Sequence, residues 1–207
     1  MKRSVVVAFV FSIMLAGCAC EPRRPQFEQA QDAALQPPPP DKAQIVFLEP
    51  INAIQGLIPV GVFEVDGDSS RRLLAVTGAH SKVALLVEPG HHMFMANHST
   101  GIAHFMEANV DAGKRYYVLL RFIYAQGFQM RPVRATGGSD YSVANKDFPK
   151  WVDDTRFVQK TAYADEFYAK FKDKLEKSQA EGWKTWLNKT PQERAELTLN
   201  PEDAIAR

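Results

Sequence analysis

The chain has 207 residues, of which 25 are Lys or Arg and 24 are Asp or Glu, so its formal net charge is +1 at pH 7. Because 45% of the residues are hydrophobic and 11% aromatic, the composition excludes a chain that is disordered throughout, and the balanced charge excludes a strongly basic nucleic-acid-binding protein. The two cysteines, Cys18 and Cys20, precede the predicted folded part, so we expect neither a disulfide in the core nor a zinc site of several thiolates.

Residues 1–17 are predicted to be a signal peptide. Lys2 and Arg3 give a positive start, and the apolar run that ends at Leu15 is too short to span a bilayer. The run leads into the sequence Leu-Ala-Gly-Cys at 15–18, which resembles the lipobox of bacterial lipoproteins. This resemblance implies cleavage before Cys18 and attachment of lipid, palmitate included, at its thiol.

The residue after the lipidated cysteine is Ala19 rather than Asp, which resembles the enterobacterial sorting pattern for the outer membrane. We therefore expect a protein of the cell outer membrane that faces the periplasm and is attached to the bilayer without crossing it. Cys20 remains as a second thiol, which is either unpaired or bonded between molecules.

Residues 18–43 are predicted to be a tether. Six of the 13 prolines lie there among Gln and Ala, a composition that buries too little apolar surface to offset the entropy of ordering. Pro37–Pro40 predict a short polyproline II rod that would hold the domain away from the bilayer. A ligand for a proline-recognition domain is the alternative.

Residues 44–135 are predicted to form an antiparallel β-sandwich of seven to eight strands. Short apolar or alternating runs recur there, bounded by Gly, Pro, Asp or Asn. The predicted strands are Gln44–Glu49, Val60–Val65, Arg72–Val76, Lys82–Val87, His92–Asn97, Ala103–Val110, Arg115–Tyr124 and Phe128–Arg134.

Three turns punctuate these strands. The Asp-Gly pair at 66–67 suits a tight hairpin, the Pro-Gly pair at 89–90 suits a type II turn, and residues 111–114 predict a further hairpin. The segment 116–122 is apolar on both faces, which predicts a central strand.

Residues 136–207 are predicted to be a helical extension of two or three helices packed on or beside the sandwich. From Thr161 the apolar residues take a helical spacing, and Gly182 is expected to interrupt it before Trp183 and Trp186. The sequence at 190–193 predicts a capping box that begins a last helix. The expected fold class is therefore α+β, mainly β with C-terminal helices.

Two short motifs are similar to a family of uncharacterised domains found in bacterial lipoproteins. They are Val-Glu-Pro-Gly-His-His at 87–92 and Ala-Gly-Lys-Arg-Tyr-Tyr at 112–117, within a similar stretch that begins at Ile58. The resemblance implies a small exported β-domain and leaves the helical extension unexplained. Because that family has no assigned activity, it implies a fold and a location rather than a chemistry.

Histidines and methionines are concentrated in one predicted hairpin. Imidazole and thioether ligands suit copper, and imidazole also suits zinc. On a strand His91 and His92 point to opposite faces, whereas His98 and His104 flank a turn, so His98 and His104 are the candidate metal ligands. The alternative is that the methionines fill the core and the histidines are exposed or hydrogen-bonded. The group comprises His91, His92, His98, His104, Met93, Met95 and Met106.

No motif for a catalytic site is present. The chain has no Gly-rich phosphate loop, nucleophile elbow or metalloprotease helix, and the acidic turn at 66–70 lacks the glycine and the final Glu of a calcium loop. We therefore expect no catalytic residue and no cofactor, with a hydrolase-type enzyme as one alternative and periplasmic copper or zinc binding as the other.

The main hypothesis is a lipid-anchored envelope protein that acts as a binding or assembly module. Its expected partner is another envelope protein or a cell-wall glycan, and not nucleic acid. Trp183 and Trp186 are the candidate interaction surface, because aromatic rings stack on sugars and anchor protein interfaces.

Overall fold

The computed structural model describes residues 24–30, 34–50, 58–98 and 101–205. The predicted signal peptide, Cys18 and Cys20 lie outside the described residues, so lipid attachment stays a prediction. Within the described ranges, no helix combines the length and the apolar character that crossing a bilayer requires.

The part of the chain that the structure describes is mostly β, with four α-helices, and all eight predicted strands are present within two residues of their expected bounds. These are β2 (Ala43–Glu49), β3 (Val60–Asp66), β4 (Ser70–Thr77), β5 (Ser81–Val87), β6 (Gly90–Asn97), β7 (His104–Val110), β8 (Arg115–Ile123) and β9 (Gly127–Pro132).

Three additional short strands raise the total above the expected seven to eight. They are β1 (Phe27–Gln29), β10 (Arg156–Lys160) and β11 (Thr198–Leu199), and the last two interrupt the region predicted to be purely helical. The helices are α1 (Phe148–Asp153), α2 (Ala162–Lys170), α3 (Lys172–Leu187) and α4 (Pro191–Glu196).

The strands form two mixed sheets. A six-stranded sheet has the order β1-β10-β5-β2-β8-β9 and a five-stranded sheet has the order β11-β7-β6-β3-β4. Three pairs are parallel, β2 with β8, β10 with β5 and β11 with β7, so the prediction of a wholly antiparallel arrangement is wrong. The turn at 111–114 joins β7 to β8 in the other sheet and therefore closes no hairpin.

The two sheets share one apolar cluster, to which residues of both contribute. Ile45 and Phe47 of β2 lie in the same cluster as Phe94 of β6 and Met106 of β7, and the rings of Phe47 and Phe94 meet edge to face at 5.7 Å. A second cluster joins the five-stranded sheet to α2 and α3, and a third joins the six-stranded sheet to α1. Each sheet therefore has a helical cover on the face away from the shared cluster.

Helix α3 runs through Gly182 without a break, so the prediction that this glycine interrupts the helix is wrong. A Cβ at Gly182 would lie 2.4 Å from the carbonyl oxygen of Ala103 and 3.0 Å from the ring of Phe105. The glycine lets the helix approach the start of β7 more closely than any other residue would. The predicted capping box is confirmed, because the Thr190 hydroxyl accepts from the Glu193 amide and the Glu193 carboxylate accepts from the Thr190 amide.

The described part of the predicted tether contacts the domain instead of standing free. Phe27 packs against the cluster of α2 and α3, and β1 pairs with β10 in antiparallel register. Further along, Leu35 packs against the cluster beneath α1, and Arg115 Nη2 donates to the carbonyl of Gln36 at 2.6 Å. The composition of this segment predicted a free tether. Two apolar side chains and the backbone groups of a strand edge are nevertheless sufficient to hold it against the domain.

We predict that Gly182→Ala destabilises the protein by about 2 kcal/mol in urea unfolding, since its methyl group must displace α3 from β7. The higher helix propensity of Ala offsets only about 1 kcal/mol of that overpacking. Gly138→Ala is the matched control, because nothing lies within 4 Å of the added methyl group. Equal stability of the two variants would contradict the close helix-to-strand contact.

Candidate functional site

A cleft of about 680 Å³ opens where the five-stranded sheet meets α3. We call it the sheet groove. Its walls come from the β3–β4 hairpin, the start of β6, the middle of β7 and the C-terminal half of α3. The lining residues are Glu64, Val65, Asp66, Gly67, Ser70, Arg71, Arg72, His91, His92, Met93, Glu107 and Trp183.

The hairpin wall is built by the Asp-Gly turn that the sequence predicted. Gly67 has a φ of 59°, and the amide of Ser69 donates to the carbonyl of Asp66 at 3.1 Å. The turn has no side chain at Gly67, and a Cβ there would lie 3.4 Å from the ring of Trp183. The indole therefore lies directly against the backbone of the turn.

Trp183 forms the opposite wall of the groove and is half-buried. Its ring meets Phe105 edge to face at 5.4 Å, so the indole is held between β7 and the hairpin. Trp186, the other predicted interaction residue, is only 2% exposed and packs in the cluster beneath α3. Trp186 therefore cannot contribute to an exposed interaction surface, because the face of α3 that carries it is turned toward the sheet.

A buried amide fixes the hairpin to α3. The Gln179 side chain is fully buried and its Nε2 donates to the carbonyls of Gly67 at 2.9 Å and Ser70 at 3.1 Å. Arg71 donates in return to Gln179 Oε1 at 3.3 Å and to Glu176 Oε1 at 3.3 Å. Both walls of the groove are therefore joined by hydrogen bonds, so the groove is preorganised.

Glu64 links three strands at one end of the groove. Its Oε1 lies 2.7 Å from His92 Nδ1, and its Oε2 accepts from the guanidinium of Arg72. The other ring nitrogen of His92 lies 2.7 Å from the carbonyl of Glu88. Partial burial alone would raise the pKa of Glu64, but the bonds to His92 and Arg72 outweigh it and lower the pKa, which keeps this carboxylate ionised.

The groove presents groups of both signs. Glu64, Asp66 and Glu107 are balanced in part by Arg71 and Arg72, and the exposed imidazole of His91 lies at the rim. Mixed donors and acceptors beside one indole suit a polar, hydroxyl-rich ligand better than a strongly anionic or cationic one.

His98 and His104, the predicted metal ligands, both lie against the turn between β8 and β9. His104 Nε2 is 2.8 Å from the carbonyl of Gln126, and a Cβ at Gly127 would lie 3.4 Å from His98 Nε2. Burial lowers the pKa of both imidazoles and favours their neutral form. The structure therefore brings the two side chains to one turn.

No third metal-ligating side chain joins them, because the described ranges contain no group of three or more His, Cys, Asp or Glu placed to hold an ion. The methionines are unsuited as ligands in their present positions, since Met93, Met95 and Met106 are buried in the apolar clusters. His92 is occupied by Glu64 and Glu88, as described above. The arrangement matches the alternative in which the methionines fill the core.

The acidic residues of the groove and one buried acid were not predicted from the sequence. Glu64 and Glu107 lie on strands with no recognisable motif, and only their cross-strand partners, known from the register, make them neighbours of β6. Glu49 had a detectable signal, because it ends an otherwise apolar strand that is buried at all seven positions.

Glu49 is fully buried, and neither of its carboxylate oxygens has a hydrogen-bond partner among the described residues. Burial raises its pKa from 4.5 to about 8, and the nearby hydroxyl of Thr77 offsets this only in part. The side chain is thus a neutral acid in the folded protein at neutral pH. It lies apart from the sheet groove and takes no part in that site.

In comparisons with known proteins, the chain matches no family model, no curated protein and no solved structure. The resemblance to the lipoprotein domain family therefore stays a prediction from the two motifs.

We predict that stability falls as pH rises from 4.5 to about 8, because over this range Glu49 is ionised in the unfolded chain and protonated in the folded one. Glu49→Gln should stabilise the protein at pH 8 by roughly 4 kcal/mol and have little effect near pH 4.5, as measured by urea unfolding across pH. Glu181→Gln, at an exposed position, is the control. A Glu49→Gln effect that does not change with pH would contradict the neutral buried acid.

Proposed function

We propose that the chain is a lipid-anchored protein of the cell envelope, at the outer membrane and facing the periplasm, whose β-domain binds cell-wall glycan in the sheet groove. The observation that carries this proposal is the half-buried indole of Trp183, fixed between the hairpin and β7 in a groove of polar side chains. Within this proposal the two sheets form a β-sandwich, which is supported by the apolar cluster they share.

A glycan fits this groove better than an envelope protein does. The buried centre of a protein interface is depleted in charged residues, whereas the sheet groove is lined by three carboxylates and two guanidinium groups. Sugar hydroxyls both donate and accept, so they match a wall that offers both kinds of group, and the faces of sugar rings pack on indole. The preorganised walls reduce the entropy that binding would cost.

Binding without catalysis is favoured by the state of the carboxylates. A general acid needs a raised pKa, whereas the pKa of Glu64 is lowered by His92 and Arg72. The second acid of the groove, Glu107, has its Oε2 3.3 Å from the hydroxyl of Thr198, whose nearer acceptor is the carbonyl of Arg194 at 2.8 Å. These interactions support a role in positioning a ligand and give no support to the hydrolase alternative.

The anchor is supported by the order of sequence features at the N-terminus. A positive start, a short apolar run, small residues and Cys18 follow one another as in the bacterial lipoproteins that they resemble. Acyl chains at Cys18 would attach the domain firmly to a bilayer, since each buried CH₂ contributes about 0.8 kcal/mol.

We predict that the purified lipoprotein cosediments with peptidoglycan sacculi and that Trp183→Ala weakens this binding about tenfold, which corresponds to about 1.4 kcal/mol. Glu107→Gln should also weaken it and is nearly isosteric, so it remains informative if the tryptophan variant is unstable. Tyr124→Ala is the control, because Tyr124 is an 88% exposed aromatic residue outside the groove. Unchanged binding in both groove variants, or crosslinking to one envelope protein without glycan binding, would refute the glycan site.

We predict that Cys18→Ala abolishes metabolic labelling with palmitate and leaves uncleaved precursor, because the thiol that accepts the lipid is lost. Cys20→Ala is the matched control and should be labelled like the unsubstituted protein. Normal palmitate labelling of the Cys18→Ala variant would show that the lipobox assignment is wrong.

A further inference from the structure

The chain is attached to the domain very soon after the predicted lipid site. We call residues 24–30 the N-terminal strap. Arg24 forms an ion pair with Glu166 of α2 at 2.9 Å, and the carbonyl of Pro25 accepts from the Thr161 hydroxyl at 2.7 Å. The strap then enters the six-stranded sheet as β1 and ends with the amide of Ala30 donating to the carbonyl of Phe157 at 3.0 Å.

The strap limits how far the domain can move from Cys18. Five residues lie between Cys18 and Arg24, and the six steps of a fully extended chain from one to the other span about 20 Å. A tether free as far as residue 43 would instead reach about 80 Å, with a root-mean-square span of about 27 Å for a flexible chain. Docking of the strap thus replaces a long spacer with a short one.

The strap also determines which side of the fold is near the anchor. β1 is one edge strand of the six-stranded sheet and β9 is the other. Five strand spacings of about 4.8 Å separate them, so the β9 edge lies about 24 Å from the strap. The start of α2 lies next to the strap, since the amide of Thr161 donates to the carbonyl of Gln26 at 3.0 Å.

The strap edge is of mixed charge, since Arg24 is paired with Glu166 and Lys160 with Asp165, and it also carries groups that suit a headgroup surface. The guanidinium of Arg24 lies 4.2 Å from the centre of the Tyr163 ring, which places a cation and an amphipathic aromatic side chain together. Arg156 is exposed on the neighbouring strand β10. Tyrosine is enriched at membrane interfaces, and arginine forms charge-assisted hydrogen bonds with phosphate oxygens.

We propose that the edge formed by β1, β10 and the start of α2 rests against the lipid headgroups of the bilayer that holds Cys18, with the β8–β9 turn pointing away. This orientation rests on the proposed anchor at Cys18 and adds to it a membrane-facing surface. The sheet groove is then presented by a domain held at the bilayer instead of one that moves freely on a long spacer.

Energy transfer to the membrane tests this orientation in the full-length lipoprotein reconstituted in vesicles that contain an acceptor-labelled lipid. In a Cys20→Ser background, the donor is attached at Ala162→Cys, an exposed position at the start of α2, or at Tyr124→Cys in the β8–β9 turn. We expect transfer from position 162 to be several-fold more efficient than from position 124. Equal transfer from both positions would overturn the orientation.

Release of the strap provides the second arm of the test. Phe27→Asp removes the apolar contact of the strap, and Ala30→Pro removes the amide that donates to Phe157, while both leave the lipobox unchanged. In either variant, transfer from position 162 should fall to the level seen from position 124, and retention of high transfer in both would overturn the proposal.

The two proposals fail in different ways. Normal palmitate labelling and vesicle association with equal transfer from both positions would refute the orientation and leave the anchor intact. If the unsubstituted full-length protein carries no lipid at Cys18 and does not associate with vesicles, the anchor is refuted and, with it, the orientation.

Discussion

Strand β2 is buried along its whole length, and this burial requires cover on both of its faces. One face lies in the cluster shared by the two sheets, and the other packs beneath α1 with Phe148 and Tyr117. A single sheet with one solvent-exposed face cannot bury both faces of β2. The C-terminal segments that cover the sheets are therefore part of the fold, and the described residues between 43 and 205 form layers that depend on each other.

Local pattern was sufficient to predict β2 through β9, because their alternation and turn residues are encoded within each segment. Local pattern did not predict β1, β10 and β11, which are short and weakly patterned. Each of these strands forms because it pairs with a strand edge that is distant in the sequence. Gly182 shows the same limit, since its space is restricted by Ala103, just before β7, and not by its helical neighbours.

The candidate site was predictable only in part. Trp183 was identified from its residue type, but Trp186, three positions away, has the same chemistry and is buried, and sequence alone could not separate them. The acidic residues of the groove become neighbours through strand register, which no local spacing encodes. Gln179 is equally inconspicuous in sequence, yet its amide joins the hairpin to α3 and so gives the groove its fixed width.

The pairing of β1 with β10 also imposes an order in time. Glu28 and Gln159 face each other across that pair and are 131 positions apart in the chain. In a chain that emerges amino end first, the segment next to Cys18 has no partner strand until most of the domain has been released. Contacts of such long sequence separation form late in folding. Under the proposed lipid anchor, Cys18 would therefore be modified before β1 can pair with β10, because the partner strand is the last of the two to emerge.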